Sequence, residues 1–340
     1  MGVKGYVMQL QPFSVNDGEG IRTNIFMAGC PLRCRWCSNP EGFTQKEVIG
    51  WYRRRCIGCG ACTSVCPQGI GIDMDAVCAA GPSGIRCEGS SGRTGHEMCI
   101  SCGACASVCP ENARTRMVTL MDAEDIIHEI HRHRVFYSYS GGGVTFTGGE
   151  ATMQPEFLDY LSHELYDMGY SLAIESCGYF DFEQVRGSLE RMDLIFMDLK
   201  HMDPAEHQKY TGVSNEKILE NIQKLATLGT TGSVSESKCV CSGLKQESAG
   251  KKGPEIVIRI PVIGGVNNSE ENIAASTAFV HEYLPHARME LLPYHRLGAV
   301  KYEAIGKPFD QDDFYTPDAE EMDRLREIVR EQGVSLADYR

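Results

Sequence analysis

The chain has 340 residues, 42% hydrophobic and 23% charged, so it can bury a sizeable core and exceeds one average domain. Its net charge of −13 argues against a general nucleic-acid binder, because such proteins present a basic face. The lack of an apolar run of about 18 residues argues against a membrane span.

The chain carries sixteen cysteines, and its compartment decides how they are interpreted. Residues 1–11 lack the apolar core of a secretory signal, so we expect a cytoplasmic protein whose thiols stay reduced. Clustered cysteines in that setting indicate metal ligands rather than disulfides. The composition therefore predicts a cytoplasmic metalloprotein.

The first predicted strand, residues 21–27, leads into a tight group of cysteines that we call the triad: Cys30, Cys34 and Cys37. Three thiolates at this spacing can hold three corners of a cubane iron–sulfur cluster. No fourth cysteine follows at a ferredoxin-like interval, so the fourth iron is expected to be open to a ligand that is not protein. An open metal position indicates chemistry rather than structure.

Residues 56–67 and 99–110 are two copies of one cysteine-rich sequence, identical at ten of twelve positions. Each copy has ferredoxin spacing and ends in Cys-Pro, a pattern in which the fourth cysteine ligates the other cluster. Two zinc sites are the alternative, which we disfavour because zinc ribbons pair two short Cys-x-x-Cys units. We therefore predict two closed 4Fe–4S clusters, one held by Cys56, Cys59, Cys62 and Cys109, the other by Cys99, Cys102, Cys105 and Cys66.

Five further cysteines exceed what three clusters need: Cys78, Cys87, Cys177, Cys239 and Cys241. The last two fall in a stretch rich in Gly, Ser and Lys, residues 229–254, which we expect to be a flexible surface insertion. Exposed thiols without a role are the favoured interpretation there.

Beyond the repeat, strand-like and helix-like segments alternate. Predicted strands cover 144–147, 171–175, 194–199, 256–261 and 289–292, and predicted helices cover 123–135, 154–168, 182–189, 216–228, 270–283 and 318–332. Such alternation implies right-handed crossovers and a parallel sheet. Counting the first strand, we predict an α/β fold: a partial, six-stranded TIM-like barrel of residues 1–50 and 116–340, with a small ferredoxin-like domain inserted at 51–115.

Polar side chains cluster where the predicted strands end, which is the edge where parallel α/β folds bind ligands. Asp198 and Lys200 are two residues apart, so an extended backbone points both to one face. Singly, each residue has a plainer interpretation, such as an ion pair or a surface histidine. Together with the triad they indicate one active-site mouth, formed by Glu150, Glu175, Ser176, Asp198, Lys200, Arg259 and His295. The helix with His128, His131 and His133 lacks such support, which favours a solvated face.

The triad, with Trp36 as the aromatic of Cys-x₃-Cys-x-aromatic-Cys, resembles the signature of radical S-adenosylmethionine (SAM) enzymes. Four further stretches, 17–22, 145–150, 198–200 and 292–295, resemble the activating enzymes of glycyl-radical enzymes. The resemblance implies that SAM binds the open iron and that one electron cleaves its sulfonium bond, which gives a 5′-deoxyadenosyl radical. That radical takes a hydrogen atom from a backbone glycine of a separate enzyme.

The resemblance also implies roles for the residues at the mouth. Gly148, Gly149 and Glu150 would hold the methionine amino end of SAM, and Lys200 its carboxylate. Trp36, Arg259 and His295 would line the rest of the cofactor, mainly its adenosyl end. A monovalent cation would lie beside it at Glu175, Ser176 and Asp198, with a Glu standing where an Asp is usual.

The ferredoxin-like insert narrows the implied partner. Chains that have one resemble activases of glycyl-radical eliminases and decarboxylases rather than of pyruvate formate-lyase. A low-potential donor such as flavodoxin or ferredoxin would supply electrons, and the added clusters would either relay them or only shape a docking surface. A radical SAM enzyme acting on a small molecule is one alternative. A plain electron carrier is another, which the open triad argues against.

Overall fold

The computed structural model describes residues 2–70, 98–229 and 253–339. These residues form a ten-stranded sheet with helices packed against it, which confirms the predicted α/β class. Residues 230–252 of the predicted insertion, with Cys239 and Cys241, lie outside the described residues, as do Cys78 and Cys87. The strands are β1 Lys4–Ser14, β2 Arg22–Met27, β3 Val48–Trp51, β4 Arg114–Asp122, β5 Gly143–Gly148, β6 Ser171–Ser176, β7 Leu194–Asp198, β8 Glu255–Val262, β9 Arg288–Pro293 and β10 Ser335–Leu336.

One side of the sheet is parallel. Its order is β2-β5-β6-β7-β8-β9-β10, and every neighbouring pair runs in the same direction. The first six of these strands are the six that the sequence predicts, and the helices between them make the crossovers. Within the described residues β10 and β3 are free edges, so this sheet is open and its curvature into a partial barrel stays a prediction.

The other side is antiparallel and was not predicted. β1 pairs with both β2 and β4, and β4 pairs with β3. Trp51, the last residue of β3, is the register partner of Arg114, the first residue of β4. Residues 52–113, which contain both copies of the repeat, are therefore the connection of one β-hairpin.

The helices are α1 Ala61–Ser64, α2 Ala104–Ser107, α3 Ala123–Arg132, α4 Arg134–Ser140, α5 Pro155–Asp167, α6 Phe182–Arg191, α7 Pro204–Thr211, α8 Glu216–Leu225, α9 Glu270–Tyr283, α10 Ala299–Ala304 and α11 Ala319–Glu331. Short 3₁₀ helices cover Pro40–Phe43, Arg53–Arg55 and Ala151–Met153. None of the described helices is both long enough and apolar enough to span a membrane.

The helices depart from the prediction at α3 and α4, at α7 and at the unpredicted α10, and the first two departures have a clear physical reason. The predicted helix 123–135 is two helices, α3 and α4, because His133 leaves helical geometry at φ −98°, ψ 5°. The sequence did not predict α7, whose buried residues are His207 and Thr211, so it lacks an apolar stripe. Its start is fixed instead by a cap, since Asp203 accepts from the backbone N–H groups of Ala205 and Glu206.

The core lies between the sheet and the crossover helices. α5 places Leu158, Leu161 and Leu165 on one face, and all three are completely buried. Burying each such side chain stabilises the fold by about 1.5–3 kcal/mol. The apolar core holds the parallel strands in place, so their C-terminal ends form one fixed edge.

Candidate active site

The predicted mouth residues do lie at this edge. The triad follows β2, Gly149 and Glu150 follow β5, and Lys200 follows β7. Glu175 and Ser176 end β6, and Asp198 ends β7. Arg259 lies within β8, in register with Asp198 on one side and with Glu290 of β9 on the other.

The triad loop is held by main-chain hydrogen bonds. Arg33 N donates to Thr211 O at 2.6 Å and Arg35 N donates to Tyr210 O at 3.0 Å, so α7 supports the loop from outside. Within the loop, Cys37 N donates to Cys34 O at 3.1 Å, and Asn39 N donates to the Cys37 sulfur at 3.4 Å. The backbone thereby turns the cysteines toward one another.

The triad offers the donor set, three free thiols, that three corners of a cubane cluster require. Burial raises the pKa of Cys34 and, to about 12, the pKa of Cys37. The Cys30 thiolate raises both pKa values further, and Cys37 raises that of Cys34. Lys200 acts in the opposite direction on Cys34. A metal ligand must be a thiolate, so iron binding here would displace protons from thiols that burial keeps neutral.

Sequence reasoning gave Cys177 no role, yet it lies beside the triad. Its thiol is hydrogen-bonded to Cys30, which lowers the pKa of Cys30, and Cys177 itself is buried. Its backbone N–H donates to Glu150 at 2.6 Å. The signal that could have found it is its position directly after Ser176, at the end of a parallel strand.

Two glycines bring β5 against the triad loop. A Cβ on Gly148, whose φ is +114°, would lie 2.6 Å from backbone atoms of Met27. A Cβ on Gly149 would lie 2.6 Å from Gly29 O and 2.8 Å from Gly42 O. The close approach lets Gly149 N donate to Met27 O at 2.8 Å and Glu150 N to Gly29 O at 2.6 Å. Any side chain here would separate the strand from the loop.

Glu150 is completely buried and joins β5 to β6. Its carboxylate accepts from Ser176 Oγ at 3.0 Å, from Cys177 N at 2.6 Å and from Thr152 Oγ1 at 2.7 Å. These donors satisfy the oxygens of the buried carboxylate. Glu150 therefore ties the ends of β5 and β6 to each other next to the triad.

Lys200 supplies a positive charge beside Cys34. Its side chain is 9% exposed, and its Nζ donates to Asp198 Oδ2 at 2.6 Å. Burial opposes the charge, but Asp198 and the Cys34 thiolate raise the pKa of Lys200 above its usual value. Asn267 fixes the backbone by donating to Lys200 O at 2.8 Å. The result is a charged lysine whose position is set by a carboxylate.

A second ion network lies deeper between the strands. Arg259 donates through Nε to Glu290 at 2.6 Å and through Nη1 to Glu175, and its guanidinium stacks 3.5 Å from the centre of the Phe196 ring. Burial raises the pKa of Glu175 to about 7, although Arg259 acts against that rise. Sequence reasoning missed Glu290, because only strand register brings it to Arg259.

Two predicted cofactor residues lie apart from these networks. Trp36 packs against Tyr210 and Phe314 in an aromatic cluster. His295 is exposed after β9, where its Nδ1 accepts from Leu297 N at 3.4 Å. The structure thus brings together the triad, Glu150, Ser176 and Lys200. The aromatic cluster that contains Trp36 packs against Cys34, whereas His295 is exposed.

The two repeat copies surround two cavities. One of about 340 Å³ is lined by Cys56, Cys59, Cys62 and Cys109 together with Trp51 and Arg114. The other, of about 560 Å³, is lined by Cys66, Cys99, Cys102 and Cys105, with Cys62 reaching it as well. Each cavity is thus ringed by the four cysteines of one predicted cluster, crossed between the copies. The donor set around each cavity, four cysteines, is the one that a closed cubane cluster requires.

Comparison with protein families agrees with these two parts. Residues 51–110 match the 4Fe-4S dicluster domain, and residues 95–242 match the radical SAM superfamily. Among solved structures, a domain of a pyruvate-formate lyase-activating enzyme from Bacteroides vulgatus is 29% identical, with a TM-score of 0.44, over 58% of this chain and 98% of that one.

Curated relatives match over nearly their whole length. The (2S)-3-sulfopropanediol dehydratase activating enzyme of Klebsiella oxytoca is 36% identical, over 90% of this chain and 86% of the relative. The trans-4-hydroxy-L-proline dehydratase activating enzyme of Clostridioides difficile is 34% identical over 95% of each. The indoleacetate decarboxylase activating enzyme of Tractidigestivibacter scatoligenes is 32% identical, over 98% of this chain and 96% of the relative.

Proposed function

We propose a function from the premise that this chain belongs to the activating enzymes of glycyl-radical enzymes, within the radical SAM superfamily. Its substrate would be a backbone glycine of a partner protein, and the partner an eliminase or decarboxylase rather than pyruvate formate-lyase. The names of the relatives, dehydratases and a decarboxylase among them, support that partner class. The observation that carries the proposal is the triad, three convergent thiols beside a buried lysine at the strand ends.

The cofactors proposed are SAM and three 4Fe–4S clusters. The triad would hold the cluster that delivers one electron to SAM, whose cleavage supplies the radical that removes the glycine hydrogen. The four-cysteine sets around the two cavities support the other two clusters. The dicluster domain match supports additional clusters without fixing their number.

The chain's own residues would bind and orient SAM. Lys200 is a buried cation beside Cys34, suited to a carboxylate held at the same iron. Glu150 and the carbonyl groups of the close-packed Gly148 and Gly149 would face the amino group. Burial of Glu150 and Lys200 keeps water from competing for both contacts.

A monovalent cation near Glu175 and Asp198 is part of the proposal. Glu175 is paired with Arg259, and Asp198 is paired with Lys200. A cation would therefore bind Asp198 only after Lys200 turns away from it, toward the SAM carboxylate. SAM affinity would then be higher in potassium or sodium chloride than in choline chloride of equal ionic strength. Equal affinity in all three salts would remove the cation from the scheme.

The organisation of the chain follows the same proposal. Residues 1–50 and 116–340 would form the SAM-binding part, and residues 51–115 the dicluster insert. We place the protein in the cytoplasm, since that compartment keeps cysteine ligands reduced. A low-potential flavodoxin or ferredoxin would supply the electrons.

The test is to mix the reconstituted chain anaerobically with SAM, a reductant and a candidate glycyl-radical enzyme. We expect a glycine-centred doublet in the EPR spectrum of the partner and one 5′-deoxyadenosine for each radical. Multiple turnovers of SAM on a small molecule, with no radical on any partner, would support the alternative radical SAM function instead.

A further inference from the structure

We infer that Arg54 and Arg55 form the docking site for an acidic, one-electron carrier protein, which delivers electrons to the cluster held by Cys56, Cys59, Cys62 and Cys109. The inference rests on the proposed function, because an enzyme that cleaves SAM reductively must receive an electron from a donor. It adds which of the two repeat copies receives them, and through which residues.

The first observation is unbalanced positive charge on an acidic chain. The 3₁₀ helix Arg53–Arg55 is three consecutive arginines, and Arg54 and Arg55 are exposed. Neither has a carboxylate within ion-pair distance in the part of the chain that the structure describes. Arg55 instead stacks on the Tyr52 ring at 4.6 Å. A stacked guanidinium keeps its N–H groups available for carboxylates of another protein.

The second observation is that this helix is joined directly to a cluster ligand. Cys56 N donates to Arg53 O at 2.9 Å, so the helix ends on the first cysteine of the set. Cys59 of the same set is exposed, and Ile57, which follows Cys56, is 65% exposed. A small apolar centre with a charged rim is typical of weak electron-transfer interfaces.

The repeat itself provides an internal comparison. Ile100 and Cys102 in the second copy are also exposed, so the apolar centre is common to both copies. What differs is the sequence before it: Arg53, Arg54 and Arg55 correspond to His96, Glu97 and Met98. The second copy is instead attached to the sheet, because Arg116 donates to Cys102 O at 3.0 Å and pairs with Glu47. Positive charge therefore marks the first copy as the face for an acidic partner.

The arginine in the triad loop, Arg33, is less suited to docking a carrier protein. Arg33 donates to Cys30 O, Leu32 O and Phe43 O, so its guanidinium is engaged in holding the triad loop. Arg54 and Arg55 have no such structural role in the described residues. During transfer one electron would leave the carrier and reduce the cluster, and no bond or proton need move.

The test measures binding before turnover. The double variant R54E/R55E and a control, R132E/R134E, carry the same charge change, and all four arginines are exposed. Each holoenzyme is titrated anaerobically with an oxidised acidic flavodoxin at low and high salt. We expect about tenfold or greater weakening for R54E/R55E at low salt, little change for the control, and loss of the difference at high salt.

A second measurement separates this inference from the proposed function. With dithionite as reductant, both variants should cleave SAM at the wild-type rate, whereas reduced flavodoxin should drive R54E/R55E more slowly. Equal binding by R54E/R55E and wild type, or equal weakening in the control, would overturn the docking site. Failure of dithionite to drive wild-type SAM cleavage would instead overturn the proposed function.

Discussion

The triad and the repeat copies, residues 56–67 and 99–110, both present cysteines in sets, but their surroundings differ. The triad adjoins two buried polar side chains: Lys200, which donates to Asp198, and Glu150, which accepts from Ser176. The repeat copies adjoin exposed Cys59 and Cys102 and exposed isoleucines. A cluster that must bind a charged ligand needs fixed charges around its open iron. A cluster closed by four cysteines needs only an accessible edge for electrons.

The largest effect is expected on SAM cleavage, which should require the triad cysteines but not the neighbouring Cys177. Replacing Cys34 by Ala removes a ligand of the open cluster, so 5′-deoxyadenosine formation with dithionite should fall to background. Cys177→Ala removes a thiol that contacts Cys30 but lies outside the triad, and it should keep cleavage and the SAM-induced change in the EPR spectrum. Activity retained by Cys34→Ala, or lost together with the cluster in Cys177→Ala, would contradict the three-ligand assignment.

The next largest effect is expected on SAM binding, and it tests whether the charge of Lys200 holds the cofactor at the triad. Lys200→Met should weaken SAM binding about tenfold to a hundredfold, because a hydrogen bond to a charged group contributes about 1.5–3 kcal/mol. The perturbation of the reduced triad cluster's EPR spectrum by SAM measures the affinity. The double variant Asp198→Asn/Lys200→Met is the control for a carboxylate left unpaired. Normal affinity in both would exclude Lys200 as a SAM ligand.

A smaller effect on SAM cleavage is expected in the repeat copies. Cys59→Ala with Cys102→Ala should lower iron from about twelve atoms per chain toward four, since one 4Fe–4S cluster would remain. Cleavage driven by dithionite should persist, while reduction of the triad cluster by flavodoxin should slow. Wild-type iron near four after anaerobic reconstitution would contradict the dicluster interpretation. Undiminished reduction by flavodoxin would show that these clusters are structural.

The smallest effect concerns the deeper ion network. Burial raises the pKa of Glu175 from 4.5 to about 7, so its contribution to stability is present below about pH 4.5 and is lost as pH rises through 7. Glu175→Gln removes this loss, on the order of 1–3 kcal/mol. The Tm of the wild type should fall more than that of the variant between pH 4.5 and pH 7.5. Parallel Tm curves would show that Arg259 keeps Glu175 ionised throughout.

Runs of apolar residues were enough to predict the parallel strands. The spacing of the repeat cysteines was enough to divide them into two predicted ligand sets. The six parallel strands are apolar runs, and the two copies of the repeat carry their ligand order in their spacing. Glu290 could not be found in this way, because only strand register brings it to Arg259. The strand-end position of Cys177 indicated its edge of the sheet, but not its contact with Cys30 in a distant loop. The helix α7 was missed for a related reason, since a cap and loop contacts define it rather than an apolar face.

The prediction of side-chain contacts at the mouth was less complete. Lys200 and Glu150 lie beside the triad as expected, but Trp36 packs into an aromatic cluster and His295 is exposed. Strand ends fix which edge a residue occupies, whereas the direction of its side chain depends on packing. The proposed roles of Trp36 and His295 therefore stay predictions.

The register pairing of Trp51 with Arg114 bears on how such a protein could have arisen. Because the two backbones already lie side by side, a two-residue turn would reconnect β3 to β4 without moving either strand. Residues 52–113 could thus be inserted or deleted in evolution as one unit, while the sheet that carries the triad kept its shape.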